Sequence, residues 1–183
     1  MAISAVPEHV WWAVETLDPG PDDQLLEIGC GPGVAVSLIC ELLVGGRIVA
    51  IDRSATAISR ATRRNAQHLA SGKAVLETVA LEELRPSDVL GESERFDKIF
   101  AMNVNLFWVR SPAKELELIK RLLGPGGALY LFYGYGRRPL PRKDNENTSR
   151  VPGILTGHLT DRGFAVEVTR GQGVVCVAAA LQA

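Results

Sequence analysis

Several protein classes are excluded by what this chain has little of. Only three cysteines occur in 183 residues, at positions 30, 40 and 176. Their number is odd and their spacing matches no metal-ligand pattern, so a disulfide framework or a zinc knuckle is not expected, and no metal site is assigned. Aromatic residues make up 6% of the chain and the formal net charge is −1, a poor match to the basic, aromatic-rich surface of a nucleic-acid binder. No Lys or Arg precedes Arg47, which leaves the N-terminal region without the positive segment of a secretory signal. The longest apolar helical run, Val34–Val44, is too short for a bilayer and contains Glu41. These absences lead to the expectation of a cytoplasmic protein with no membrane and no nucleic-acid partner. Self-association as a homo-oligomer stays open.

What is present is enough for a core. At 46% hydrophobic and 22% charged, residues 1–183 read as one globular domain. The stretch Leu25-Leu26-Glu27-Ile28-Gly29-Cys30-Gly31-Pro32-Gly33 carries the most information. Apolar residues and a carboxylate lead into three glycines at alternate positions, the order of a buried strand, a tight turn and a helix start. A dinucleotide fingerprint needs G-x-G-x-x-G. Gly29 and Gly31 fit it, but the third position is Val34 and Gly33 falls one residue early. About twenty residues beyond the loop, Arg47–Asp52 reads as a second buried strand ending in an acid. A carboxylate placed there can accept hydrogen bonds from both hydroxyls of a ribose. It can equally cap the helical segment Ser54–Ala70 that follows.

The remaining chain alternates strand and helix patterns. Helices are expected at Val6–Leu17, Val34–Val44, Ser54–Ala70, Ser111–Leu123 (with Ser111 as cap and Pro112 in the first turn) and Ser149–Arg162. Strands are expected at Leu25–Ile28, Arg47–Asp52, Ala74–Val79, Phe96–Met102 and Ala128–Tyr133. Phe164–Thr169 and Val174–Leu181 form a closing hairpin around Gly171-Gln172-Gly173. The alternation predicts an α/β fold: a mostly parallel, Rossmann-like sheet of seven strands, helices on both faces, and an antiparallel C-terminal strand. Gly134–Arg150 reads as a polar flap.

The acidic-x-Gly-x-Gly-x-Gly loop, the acid ending the second strand, the Phe96-Asp97-Lys98-Ile99 strand start and the Leu123–Gly127 turn together resemble the class I S-adenosylmethionine-dependent methyltransferases. The resemblance covers nearly the whole chain. It implies that Glu27, Gly29, Cys30, Gly31 and Gly33 hold the methionine part of S-adenosylmethionine, and that Asp52 and Arg53 meet the ribose. Ala80 and Leu81 would flank the adenine, with Ala80 standing where the family often has an aspartate, and Asn103 and Val104 would contact the cofactor through their backbone. Asn105, Phe107 and Trp108 would face a small-molecule methyl acceptor, attacked in line with the departing sulfur. His9, Asn105 and Tyr133 are the candidate catalytic groups, and no general base is singled out among them. Asp144-Asn145 lies too far beyond the fifth strand to serve as a metal pair. Two other readings share parts of these motifs. One is a non-catalytic S-adenosylmethionine-binding subunit, and the other an NAD-dependent oxidoreductase, against which the glycine spacing speaks.

Overall fold

The computed structural model describes residues 6–89, 91, 94–135 and 142–181. A single seven-stranded sheet organises them. Its strands are β1 (Gln24–Ile28), β2 (Arg47–Asp52), β3 (Ala74–Thr78), β4 (Phe96–Met102), β5 (Leu123–Gly134), β6 (Phe164–Gly171) and β7 (Val174–Leu181). They lie in the order β3-β2-β1-β4-β5-β7-β6. The first five are mutually parallel, while β7 inserts antiparallel between β5 and β6. The expected fold class is therefore the observed one. The strand order reverses between β1 and β4, and at such a switch point the flanking crossovers leave to opposite faces and open a crevice above the carboxyl ends.

Side-chain alternation along the strands divides the core into two layers. Leu26, Ile28, Val49, Ile51, Ile99 and Leu131 face one side, covered by α6 (Ala113–Leu122) and α7 (Arg142–Thr160). Leu25, Ile48, Ala50, Phe100 and Phe132 face the other, covered by α1 (Glu8–Leu17), α2 (Val34–Leu42) and α3 (Ala55–Arg64). The central strands are buried on both faces, which explains their near-continuous apolar runs, whereas β6 at the edge alternates with exposed positions.

Four boundaries differ from the sequence expectation. The helix expected over Ser54–Ala70 divides at Asn65 into α3 and α4 (Ala66–Ala70), because the Asn65 side chain turns inward and bonds to backbone rather than to solvent. Helix α6 starts at Ala113, with Pro112 as its N-cap and no side-chain cap, so Ser111 does not play the capping part assigned to it. Strand β5 begins at Leu123, absorbing the glycine-rich turn as an irregularity opposite Phe96 and Lys98. The backbone is helical from Arg142, which shortens the expected Gly134–Arg150 flap; its residues 136–141, including Arg137 and Arg138, lie outside the described residues. The short helix α5 (Leu106–Val109) completes the set.

Lys73 illustrates how the ends of these elements are tied. Its ammonium donates to the carbonyls of Leu43 (2.6 Å) and Cys40 (3.3 Å), satisfying the exposed C-terminal acceptors of α2. Lys73→Met should remove this cap and lower unfolding free energy by about 1 kcal/mol, read as a shift in urea midpoint without a change in slope.

Candidate functional site

The glycine loop between β1 and α2 takes three left-handed turns, at Gly29 (φ 73°), Gly31 (φ 53°) and Gly33 (φ 70°). Two of these positions are crowded. A Cβ on Gly29 would lie 2.6 Å from the Val104 methyl, and one on Gly33 would lie 2.6 Å from the Asn65 amide. Gly31 differs, since a Cβ there would meet nothing within 4 Å. Backbone twist rather than packing demands glycine at that position, and the space beside it is open.

Asp52, at the carboxyl end of β2, fixes the loop. One carboxylate oxygen accepts from the Gly31 N–H at 2.9 Å, the other from the Ser54 N–H at 2.8 Å. The side chain thus serves the turn into α3, while Ser54 itself caps that helix through Ala57 N–H. Each oxygen still has acceptor capacity, so the turn does not exhaust the carboxylate. The far side of the loop is held from α3. The Asn65 amide donates to the carbonyls of Gly33 and Ala61 and its oxygen accepts from Ser37, while Arg64 donates to the Pro32 carbonyl. Asn65 is fully buried. Sequence reasoning passed over it because an Asn within a polar helical stretch carries no signal of the loop it supports.

Glu27 lies on β1 beneath the loop, 3% exposed, with one carboxyl oxygen buried and unpartnered. Burial raises its pKa to about 8, with the nearby Asp52 charge adding to the effect.

A cleft of about 640 Å³ opens over the carboxyl ends of β1 to β4, within the range of small-molecule and cofactor sites. Of the residues named from sequence, Gly29, Asp52, Arg53, Ala80, Leu81, Asn103, Val104 and Asn105 line it. Glu27, Cys30, Gly31, Gly33, Trp108, Tyr133 and His9 are not in its lining. Phe107 must be withdrawn from the acceptor-facing set, because its ring is fully buried in the core. Tyr133 is also unsuited to act as a base. Its hydroxyl donates to the Val104 carbonyl, and burial drives its ionisation upward. Trp108 packs against the core, with its indole N–H buried and unpartnered.

Two further residues at the cleft escaped sequence analysis in these roles. Asn103 adopts a left-handed backbone (φ 55°), and its amide both donates to and accepts from the Gly134 backbone (3.0 and 2.9 Å), clamping the ends of β4 and β5 together. Arg110 joins two walls. It bonds Glu115, a buried carboxylate on α6, at 2.6 Å and Glu82, across the cleft, at 3.3 Å. Neither pairing has a sequence signature, since the partners meet only through the fold.

A doubly wound sheet with a left-handed glycine loop, an acid ending the neighbouring strand and a cleft at the switch point defines a domain that binds a nucleoside-containing cofactor. Comparison with known proteins carries this further. A family model described as a methyltransferase domain matches residues 19–168, and the chain belongs to the class I S-adenosylmethionine-dependent methyltransferase family, whose cofactor is S-adenosylmethionine. It is 30% identical over 127 residues to trans-aconitate 2-methyltransferase of Delftia acidovorans, spanning 69% of this chain and 41% of that protein. The chain spans only 32% and 33% of two uncharacterized relatives, from Streptomyces fradiae and Synechococcus. Among solved structures, a SAM-dependent methyltransferase from Aquifex aeolicus superposes with a TM-score of 0.72 at 18% identity, over 95% of this chain and 89% of that one. The magnesium protoporphyrin IX methyltransferase of Synechocystis, solved with bound SAM, superposes with a TM-score of 0.60 at 18% identity, over 94% and 76%.

The site fits this cofactor on its own geometry. The space beside Gly31 is open, and Asp52 lines the cleft and keeps free acceptor capacity toward a diol.

Burial of Glu27 has a measurable consequence for stability. A carboxyl whose folded pKa stands above its unfolded value holds its proton in the native state after the unfolded chain has lost it, so stability falls as pH rises through that window. Unfolding free energy should therefore decline from about pH 5 to about pH 8, and Glu27→Gln should flatten this slope in urea titrations across the same range.

Proposed function

We propose that this chain binds S-adenosylmethionine in the cleft above β1, β2 and β4 and transfers its methyl group to a small-molecule acceptor. The observation that carries the reading is the Asp52 carboxylate, which shapes the glycine loop through Gly31 while lining the cleft. When bound, the sulfonium supplies an electrophilic methyl group. The chain's own part is positional. Asp52 accepts from the ribose, the open backbone at Gly31 admits the amino-acid end, and Val79, Ala80 and Leu81 give the base an apolar wall. Asn105 and Leu106 stand on the loop after β4, where an acceptor would be held against the methyl with water excluded. The near-zero net charge and a cleft of cofactor size favour a small acceptor over a nucleic acid. Three free, buried thiols suit a reducing, cytoplasmic setting.

Isothermal calorimetry with S-adenosylhomocysteine tests the reading, with NAD as the control ligand. One site should be found for the first and none for the second. At a hundred times its dissociation constant the ligand should add about 2.7 kcal/mol of stability. Asp52→Ala should weaken binding by about 1.5–3 kcal/mol. Gly31→Val, which places a branched side chain in the open space and a β-branched residue at a left-handed φ, should abolish binding while a cooperative unfolding transition persists. Absence of heat and of thermal shift at millimolar S-adenosylhomocysteine would falsify the proposal.

A further inference from the structure

One contact at the cleft has two ends that are held very differently. Strands β3 and β4 are not neighbours, since β2 and β1 lie between them. Three strand spacings put their carboxyl ends about 14 Å apart. Glu82 stands in the single 3₁₀ turn Leu81–Glu83 that follows β3, and Arg110 closes α5 after β4, yet the two side chains meet at 3.3 Å. Both residues line the cleft, together with Ile28, Gly29, Ile51 and Asp52 from the two strands between. The ion pair therefore links walls that the sheet itself holds apart.

Burial decides which end of the link can let go. Glu115 is 4% exposed; its Oε1 accepts from Arg110 at 2.6 Å, and its Oε2 is buried without a partner. Were Arg110 to leave, an ionised carboxylate would remain in the interior with no opposite charge, so Arg110 stays on α6. Glu82 is 46% exposed, and water can take the place of its partner. Its turn is pinned by buried Leu81 and Leu84, which leaves the side chain as the part that moves.

We propose that Glu82 and Arg110 form a latch on the cleft, hinged at Glu115, that sets how fast S-adenosylmethionine enters and S-adenosylhomocysteine leaves. The inference rests on the cofactor reading above, which puts the base against Val79, Ala80 and Leu81, directly before Glu82 in the chain. Release of a spent ligand limits turnover in many enzymes, so a latch here controls rate without touching the reacting atoms. It adds a barrier that entry and exit share. Breaking it speeds both and leaves affinity nearly unchanged, whereas loss of a residue that grips the ligand speeds exit alone.

The test measures association and dissociation rates of S-adenosylhomocysteine on the full chain by surface plasmon resonance. An exposed ion pair is weak, so Glu82→Gln should raise both rates by about two- to fivefold, with their ratio nearly constant. Salt should act through the same contact, because the ligand is a zwitterion without net charge. Raising sodium chloride from about 20 to about 500 mM should bring the wild-type rates up to those of Glu82→Gln, as screening weakens the pair. Arg110→Met combined with Glu115→Leu removes the hinge without orphaning a buried charge. That double variant should match Glu82→Gln, and adding Glu82→Gln to it should change nothing further. Unchanged rates in Glu82→Gln overturn the inference. So does faster dissociation without faster association, or an effect of Glu82→Gln that survives in the double variant. A wild type that fails to bind S-adenosylhomocysteine overturns instead the cofactor reading on which the latch rests.

Discussion

Two carboxyl groups at the carboxyl ends of adjacent strands set the terms for the rest of this site. Glu27 and Asp52 are close enough for the Asp52 charge to oppose ionisation of Glu27. The sheet resolves the conflict by giving the two acids different surroundings. Asp52 reaches the cleft and receives two backbone N–H groups, whereas Glu27 lies under the loop with an oxygen unpartnered. Burial drives Glu27 toward its protonated form. The glycine loop depends on this arrangement, because the N–H at its apex is the donor that Asp52 captures. The loop in turn sets where α2 begins and where the cleft has its floor.

The cleft walls are joined by two kinds of tie. Asn103 clamps β4 to β5 with a pair of amide–backbone bonds, a short-range and geometrically strict link. Arg110 spans the opening with a longer, half-exposed contact to Glu82 while anchored on buried Glu115. The first fixes the spacing of strand ends. The second is the contact that solvent and salt weaken first, since exposed ion pairs are screened and contribute little net stability.

Much of this was legible in the chain itself, for reasons that particular residues make plain. Gly29, Gly31 and Gly33 have few substitutes in a left-handed loop, and Asp52 closes an apolar run, so local pattern and tertiary role coincide. The parallel core strands are equally readable, because burial on both faces leaves an uninterrupted apolar run such as Arg47–Asp52. Phe107 was misplaced because an aromatic in a loop after β4 reads the same whether it turns to ligand or to core. Ser111 looked like a cap, yet the helix starts one residue later and Pro112 takes that place. Asn65, Arg110 and Glu115 depend on partners up to 32 residues away, and no local rule connects a helical Asn to the carbonyl of a glycine in an earlier turn.

All three cysteines are buried, and their thiols resist ionisation; burial pushes Cys40 and Cys176 up to about 12 and Cys30 higher still. Thiolate is the reactive species, so at neutral pH the native chain presents almost none to solvent. The wild-type protein is therefore a silent background for thiol chemistry. A fluorophore or spin label on one cysteine introduced at the surface, for instance beside the half-exposed Tyr135, would report from that point alone, with none of the native thiols replaced.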